Sequence, residues 1–545
     1  MVFWLILSAI VLAQSAHNLF VKRKCKKRSF RFWDKDYHNQ HLVTISDIKH
    51  YYENHHNDNC SLDVDETTWS DLELDRLFNR INYCHTSTGE EYLYNNIKKR
   101  ESVIDEALIE KLETDKCSRQ RLTQMFQRTG YLEGSDTSAF FSRRLAPHIK
   151  KRYLYCATLP IICFLLLLIS MKVWLLTTIA VSLFNVFYFY RTKLTLEYEL
   201  NRVFYLARLL KGSALYIKWK KSANLTLSYK RLLSFRLLAF FFNRNSLDGG
   251  INLFNVFRGV FLFDLILYNF MLGSIAKKQS DVAIIWHALA KLDININVCK
   301  YRETLSFYAI PVFSDVDRFL FKEMVHPLTE EGVPNSLTWN DNIILTGTNS
   351  AGKSTFIKAL ALNVILAQAI NTVVAEKAVL NKIVVQTSMA IKDDLLTGES
   401  FFVAETKSIR RLLTLVAKKQ PTLVIMDEIL KGTNANERIS ASLALMKWFN
   451  QFDELKVCIA THDLMLAEVG MRGFVNYHFS NKVVGEQIEF DYKLQKGISK
   501  TRNAIGILAA YDFPAEVVME AKRISKLIDS VGGIDNVVYR RTYIN

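Results

Sequence analysis

The residues with the clearest chemical meaning are Gly347-Thr348-Asn349-Ser350-Ala351-Gly352-Lys353-Ser354, which satisfy GxxxxGK[ST], with Thr355 directly after them. The strand-like run Asn342 to Thr346 precedes this stretch, and an apolar helical pattern through Phe356, Ile357 and Leu360 follows it. Between a strand and a helix, such a loop aims its amides and the helix N-terminus at phosphate oxygens. Lys353 then meets the β and γ phosphates of a nucleotide, and the Ser354 hydroxyl ligates Mg2+. A second element, Thr422 to Glu428, is an apolar run that delivers two carboxylates at its end. Asp427 there suits Mg2+ through its water shell, and Glu428 suits a general base that polarises the attacking water. A third run, Val457 to Ala460, ends in Thr461-His462-Asp463, where His462 can hydrogen-bond the γ phosphate or that water. In this order the set predicts hydrolysis of ATP to ADP and phosphate, as well as binding.

These chemical groups need a scaffold that brings strand ends together. After Pro311, short β-branched runs alternate with helical stretches, which predicts a parallel α/β sheet. Upstream of Pro311 the texture is helical, with few turn formers. Two apolar runs, Tyr153 to Met171 and Val173 to Tyr190, interrupt that helical part, each close to the ~20 residues that cross a bilayer. Arg143, Arg144, Lys150, Lys151 and Arg152 precede the pair, and Arg191 and Lys193 follow it. Basic flanks on both sides and almost no connection predict a hairpin that enters from the cytoplasm and returns to it. The residues from Met1 to about Val21 carry no charge and are followed by Lys22, Arg23, Lys24, Lys26, Lys27 and Arg28. That order predicts a signal anchor rather than a cleaved leader. Leu253 to Ala276 is also apolar but contains Arg258 and Asp264, so it reads as a core helix of a soluble bundle.

Taken together, GTNSAGKST, MDEILKGTN and IATHD resemble the P-loop, Walker B with D-loop, and switch histidine of the MutS family. Asp393 to Phe402 is similar to that family's signature segment, and Lys496-Gly497 through Ala510 to Pro514 to the end of its ATPase domain. Thr86-Ser87-Thr88-Gly89, Leu292-Asp293 and His326-Pro327-Leu328 resemble the family's helical core and its junction with the ATPase. The resemblance implies a homodimer through the ATPase domains, with Ser400 reaching the partner's γ phosphate and DNA gripped at the distal end. It also puts Tyr492 where an aromatic ring stacks on adenine. Thr348 stands where the family has Pro, Ala351 where it has Gly, and Leu430 where its D-loop commonly has Gly. The mismatch-reading domain has no counterpart; Phe321-Lys322-Glu323 matches its letters but sits at the ATPase junction.

The expected fold class is therefore an α/β P-loop NTPase domain of ABC/MutS type, preceded by an all-α core that a transmembrane hairpin interrupts. Its divisions are an anchor at 1–24, helical core at 25–150, hairpin at 151–191, helical core or lever at 192–320, and ATPase at 321–545. The expected cofactors are ATP and Mg2+, and the expected location is a membrane, with the ATPase in the cytoplasm and three helices in the bilayer. With 545 residues, half of them hydrophobic and only seven Pro, the chain can bury more than one core. The net charge of +16, from 70 Lys and Arg against 54 Asp and Glu, suits DNA or an anionic leaflet. The eight cysteines form no CxxC pair, which favours free thiols in a reducing compartment. His55, His56, Asp58 and Cys60 carry metal-ligand types but read as a solvated loop. The rival readings are an ABC-type transporter-associated ATPase and a membrane-complex ATPase that binds no DNA. Against the transporter, three spans are few and the stretch before Walker B lacks an LSGGQ-like sequence.

Overall fold

The computed structural model describes residues 23–34, 37, 41–56, 63–132, 136–142, 151–167, 169–235, 253–314, 318–348, 351–389, 401–416, 419–484, 487–498 and 513–531. The chain divides into two compact units, one of Met1–Cys60 with Phe78–Ser306, the other of Ser61–Leu77 with Phe307–Asn545. The expected anchor at 1–24 falls almost wholly outside the described residues.

The first unit is helical. Its centre is the pairing of Ser87–Lys99 with the long helix Gln279–Thr304. Asp293 on the long helix accepts from the Thr86 hydroxyl at 2.6 Å and from the His85 amide at 3.2 Å. It thereby serves amides at the start of the other helix, where a negative charge is favourable. Gly89 faces this carboxylate so closely that a Cβ there would lie 2.4 Å from Asp293 Oδ2. Helix-to-helix contact at this point therefore needs a residue without a side chain. Burial of Asp293 pushes its carboxyl up to about 7 despite these bonds.

The apolar runs form two helices, Arg152–Leu167 and Met171–Thr195, packed against each other. Tyr153, Ala157 and Phe189 at their base pack with Leu262 and Leu265. Pro160 has no N–H, so the Cys156 carbonyl one turn back loses its helical partner. Asn185 supplies the missing donor at 2.7 Å and also donates to the Val260 carbonyl at 2.8 Å. Away from the base the hairpin is lined by exposed apolar side chains, among them Phe164, Leu165, Leu176, Leu183 and Phe187.

Leu253 to Ala276 departs from the single core helix expected. It forms two helices, Leu253–Val260 and Phe263–Ala276, broken where Leu262 takes a φ of 49°. Both pack on the hairpin. Arg258 and Asp264, the charges that argued for a soluble bundle, are buried and paired with each other, with Lys193 at 3.8 Å from Asp264. Among the described residues, two helices are long and apolar enough to cross a membrane, Gln279–Thr304 and Lys353–Ile370, and both are mostly buried core helices.

The second unit holds a six-stranded sheet in the order β10-β9-β4-β8-β7-β6. Its strands are β4 Asn342–Thr346, β6 Val384–Ser388, β7 Thr422–Asp427, β8 Leu455–Ala460, β9 Phe474–Val484 and β10 Gln487–Lys496. All neighbouring pairs are parallel except β9 with β10. The central strands β4, β7 and β8 are almost wholly buried, as strands covered by helices on both faces must be. A four-stranded sheet of β1 Val312–Phe313, β5 Lys377–Leu380, β2 Leu320–Met324 and β3 Asn335–Thr338 lies in that order in the same unit. Phe321-Lys322-Glu323 is simply part of β2. The seven described cysteines are free thiols.

Candidate nucleotide site

The strand order places the ends of β4, β8 and β7 side by side, so three loops distant in sequence meet at one edge of the sheet. Two backbone bonds fix their alignment. The Thr461 amide donates to the Leu345 carbonyl at 2.9 Å, and the Glu428 amide to the Ala460 carbonyl at 2.8 Å. Ligands of open α/β sheets bind at this carboxyl end of the strands.

At the end of β4 the chain turns through Gly347 (φ 143°) and Gly352 (φ 100°), both in backbone conformations that side chains disfavour. Gly352 is the N-cap of the helix Lys353–Ile370. The Lys353 ammonium reaches back to the Gly347 carbonyl at 2.7 Å and the Thr348 carbonyl at 3.1 Å. Burial lowers its pKa, while Asp427 and Glu428 act in the opposite direction. The Thr348 hydroxyl is buried and has no hydrogen-bond partner among the described residues, which suits a loop built to face a phosphate oxygen. Ala351 is buried and Thr355 exposed. Asn349 and Ser350 lie outside the described residues.

Ser354 donates to Asp427 Oδ2 at 2.5 Å. Two hard oxygen donors in contact, one from the first turn of the P-loop helix and one from the end of β7, are the donor set that Mg2+ prefers, so these residues fit the ion. Glu428 follows at a φ of 61°, and both its oxygens are engaged, Oε1 by His462 Nδ1 at 3.2 Å and Oε2 by Lys431 Nζ at 2.7 Å. Burial alone would raise its pKa, but Lys431 and His462 outweigh burial and hold the carboxyl below the ordinary range. The group is thus a carboxylate at neutral pH, as a base for water must be.

Sequence reasoning missed three supporting residues. Lys431 is one helical turn's distance from Glu428 within the same motif, and that spacing was the available signal. Glu405, on the helix Phe401–Val416, is buried and accepts from the amides of Lys431 at 3.1 Å and Gly432 at 3.4 Å. Arg438 grips Asp463 with two bonds, at 2.8 and 3.0 Å, and so steadies the turn that carries His462. Neither Glu405 nor Arg438 is visible without the fold. Leu430, where a Gly was expected, takes a φ of 56° and buries its side chain in the core with Leu412 and Met446. Apolar burial thus offsets the backbone strain that a Gly would have avoided.

The ring of Tyr492 lies against the P-loop: a Cβ on Gly352 would come within 3.1 Å of its Cδ1. The ring is 43% exposed and stacks on Phe490 at 5.7 Å between centroids. An exposed aromatic face beside the P-loop is available to a planar base. Ser400 lies outside the described residues, as do Asp393 to Glu399 of the segment likened to a family signature, whereas Phe401 and Phe402 open the helix Phe401–Val416.

With the geometry in place, comparison with known proteins identifies a match. Residues 343–529 match the family described as MutS domain V. Proteins named DNA mismatch repair protein MutS are similar to the chain. That of Methanothrix thermoacetophila is 27% identical over 272 residues, 48% of this chain and 31% of the relative. That of Acetivibrio thermocellus is 28% identical over 270 residues, 47% and 31% respectively. That of Fusobacterium nucleatum subsp. nucleatum is 30% identical over 256 residues, 44% and 28%. The chain therefore spans under a third of the length of these relatives. The likeness supports a P-loop domain of MutS type in the second unit.

If Lys431 helps to hold Glu428 charged, Lys431→Ala will shift the acid limb of the pH–rate profile for ATP hydrolysis to higher pH. The sign follows because loss of a cation raises the carboxyl's pKa. An unmoved acid limb in steady-state assays across pH 4 to about 8 would contradict the assignment.

Proposed function

We propose that the chain is a MutS-like ATPase that hydrolyses ATP to ADP and phosphate with Mg2+ and uses the cycle as a conformational switch. The observation that carries this reading is the convergence of Lys353, Ser354, Asp427, Glu428 and His462 at adjacent strand ends. Lys353 and the loop amides bind the phosphates, and Ser354 and Asp427 hold the ion, which neutralises developing charge. Glu428 orients and deprotonates the attacking water, with His462 on its other side. Tyr492 stacks on the adenine. The domain acts as a homodimer in which Ser400 completes the partner's site. Glu428→Gln will bind ATP as well as the wild type and lose turnover by roughly 100-fold or more. Variant turnover near the wild-type rate would remove Glu428 from the role of base.

The relatives are named for DNA mismatch repair, and the excess of positive charge suits phosphates. DNA is accordingly the proposed macromolecular ligand of the dimer. Affinity of the detergent-solubilised protein for duplex and branched DNA will fall steeply between about 50 and 200 mM salt. Absence of binding at the lowest salt, with and without ATP, would leave the switch acting on another partner.

The hairpin is proposed to sit in a bilayer, with the basic residues Lys151, Arg152 and Arg191 at its base against the cytoplasmic leaflet. Exposed Leu, Ile and Phe side chains around both helices support this, since water would otherwise meet a large apolar patch. A cysteine at the exposed position Leu183 will resist an impermeant maleimide in membrane vesicles and react once detergent is added. Exposed Cys117 serves as the reactive control. Equal labelling of both sites in intact vesicles would place the hairpin in water.

A further inference from the structure

A short segment far from the P-loop in sequence, residues 65–73, belongs to the second unit and binds two of the elements that build the nucleotide site. It contains the helix Glu66–Asp71, whose N-cap Asp65 accepts from the Thr68 amide at 2.7 Å. The segment covers β6, the edge strand of the large sheet. A strand edge leaves backbone groups without a partner strand, and burying them unpaired is costly. Here side chains take the partner's place. Thr68 Oγ1 accepts from the Thr387 amide at 3.2 Å, and Asp71 Oδ2 accepts from the Met389 amide at 3.0 Å and the Thr387 hydroxyl at 2.7 Å. Asp71 and Thr387 are both buried, so these bonds are shielded from water. Asp65 pairs with Arg411, which also donates to the Thr387 carbonyl and to Gln386 Oε1. Arg411 belongs to the helix Phe401–Val416, which also carries Glu405 and so supports the loop beside Glu428.

The second attachment is to the P-loop helix. Glu73 Oε1 takes the Lys358 ammonium at 2.8 Å, while Oε2 takes Arg76 at 2.6 Å. Lys358 lies one turn beyond Ser354 on the helix whose N-terminus faces the phosphates. Lys358 first, and then Arg76, hold the Glu73 carboxyl down to about 2. Glu73 itself takes a φ of 53°, so the chain accepts a disfavoured backbone conformation at the residue that makes this bond. The segment runs on through the helix Leu74–Ile81, and from Phe78 the chain belongs to the first unit.

We infer that residues 65–73 form a positioning strap for hydrolysis, in which Asp71 sets the end of β6 and Glu73 sets the P-loop helix. The role rests on the ATPase reading of the same site. The strap touches no reacting atom; it acts through Thr387, Met389 and Lys358. It therefore affects turnover more than nucleotide binding, because binding needs the loop amides while hydrolysis needs the loop held in register with Asp427 and Glu428.

The test uses the full chain in detergent, with steady-state ATPase kinetics, binding of a fluorescent ATP analogue, and amide hydrogen exchange. Asp71→Ala, which loses both buried bonds, will lower kcat about tenfold or more, with the analogue's affinity within about twofold of wild type. Asp71→Asn keeps an oxygen able to accept both bonds and will retain most of kcat. Glu73→Lys will lower kcat, and adding Lys358→Glu will restore it. Exchange at the Met389 amide will rise in Asp71→Ala and not in Asp71→Asn, while the Thr387 amide keeps its Thr68 acceptor in both. Faster exchange with unchanged kcat would overturn the positioning role and leave a structural one. Equal loss in Asp71→Ala and Asp71→Asn, or a charge swap that fails to restore turnover, would also overturn it. A wild-type chain that binds the analogue but does not hydrolyse ATP would refute the hydrolase reading itself, a result distinct from either.

Discussion

The contact between Ser354 and Asp427 is the constraint on which the rest of the second unit depends. One residue lies in the first turn of the helix after β4 and the other ends β7, yet the hydroxyl and carboxylate meet, as the proposed Mg2+ site requires. They meet because β8 lies between the two strands, and parallel pairing on both of its sides fixes all three ends at one level. A slip of one residue in either register would turn every side chain of that strand to the opposite face. The buried apolar residues of β4, β7 and β8 make such a slip costly, so the core holds the chemistry in place.

Around that contact the chain repeatedly uses side chains to satisfy backbone groups that regular structure leaves open. Glu405 binds two amides in the loop after Glu428, and Asn185 binds two carbonyls released by Pro160 and by a helix end. Asp293 serves the start of a helix, and Asp71 serves the open edge of β6. Each is buried, and a buried hydrogen bond made to an otherwise open backbone group favours one arrangement strongly. The same pairing explains why Arg258 and Asp264 lie together under the hairpin base, where neither charge would be stable alone.

The hairpin and the nucleotide site follow opposite rules of solvation. In the second unit, apolar strands are covered by helices on both faces and charged groups gather at one sheet edge. In the hairpin, large apolar side chains point outward and the polar Asn185 points inward. The outward set supports a bilayer setting, and the inward Asn185 links three helices by donating to the carbonyl that Pro160 leaves without a helical partner.

The sequence by itself determined the phosphate-binding loop, the paired carboxylates, the histidine and the alternation of strands with helices. These are short-range signals, because GxxxxGK[ST] and an apolar run ending in Asp-Glu carry their own geometry. The two apolar helices of the hairpin were legible for the same reason. Tertiary structure alone decided that Lys431 and His462 share Glu428, that Glu405 supports the loop beyond it, and that Leu430 buries where a Gly was expected. It also decided that Leu253 to Ala276 breaks into two helices, since the pairing of Arg258 with Asp264 depends on how the chain turns between them. The P-loop of the opening motif was readable from its letters, whereas the bond from Lys358 on the helix after it to Glu73 was not. Hydrogen bonds between residues hundreds of positions apart leave no periodicity or spacing to read, and only folding brings them together.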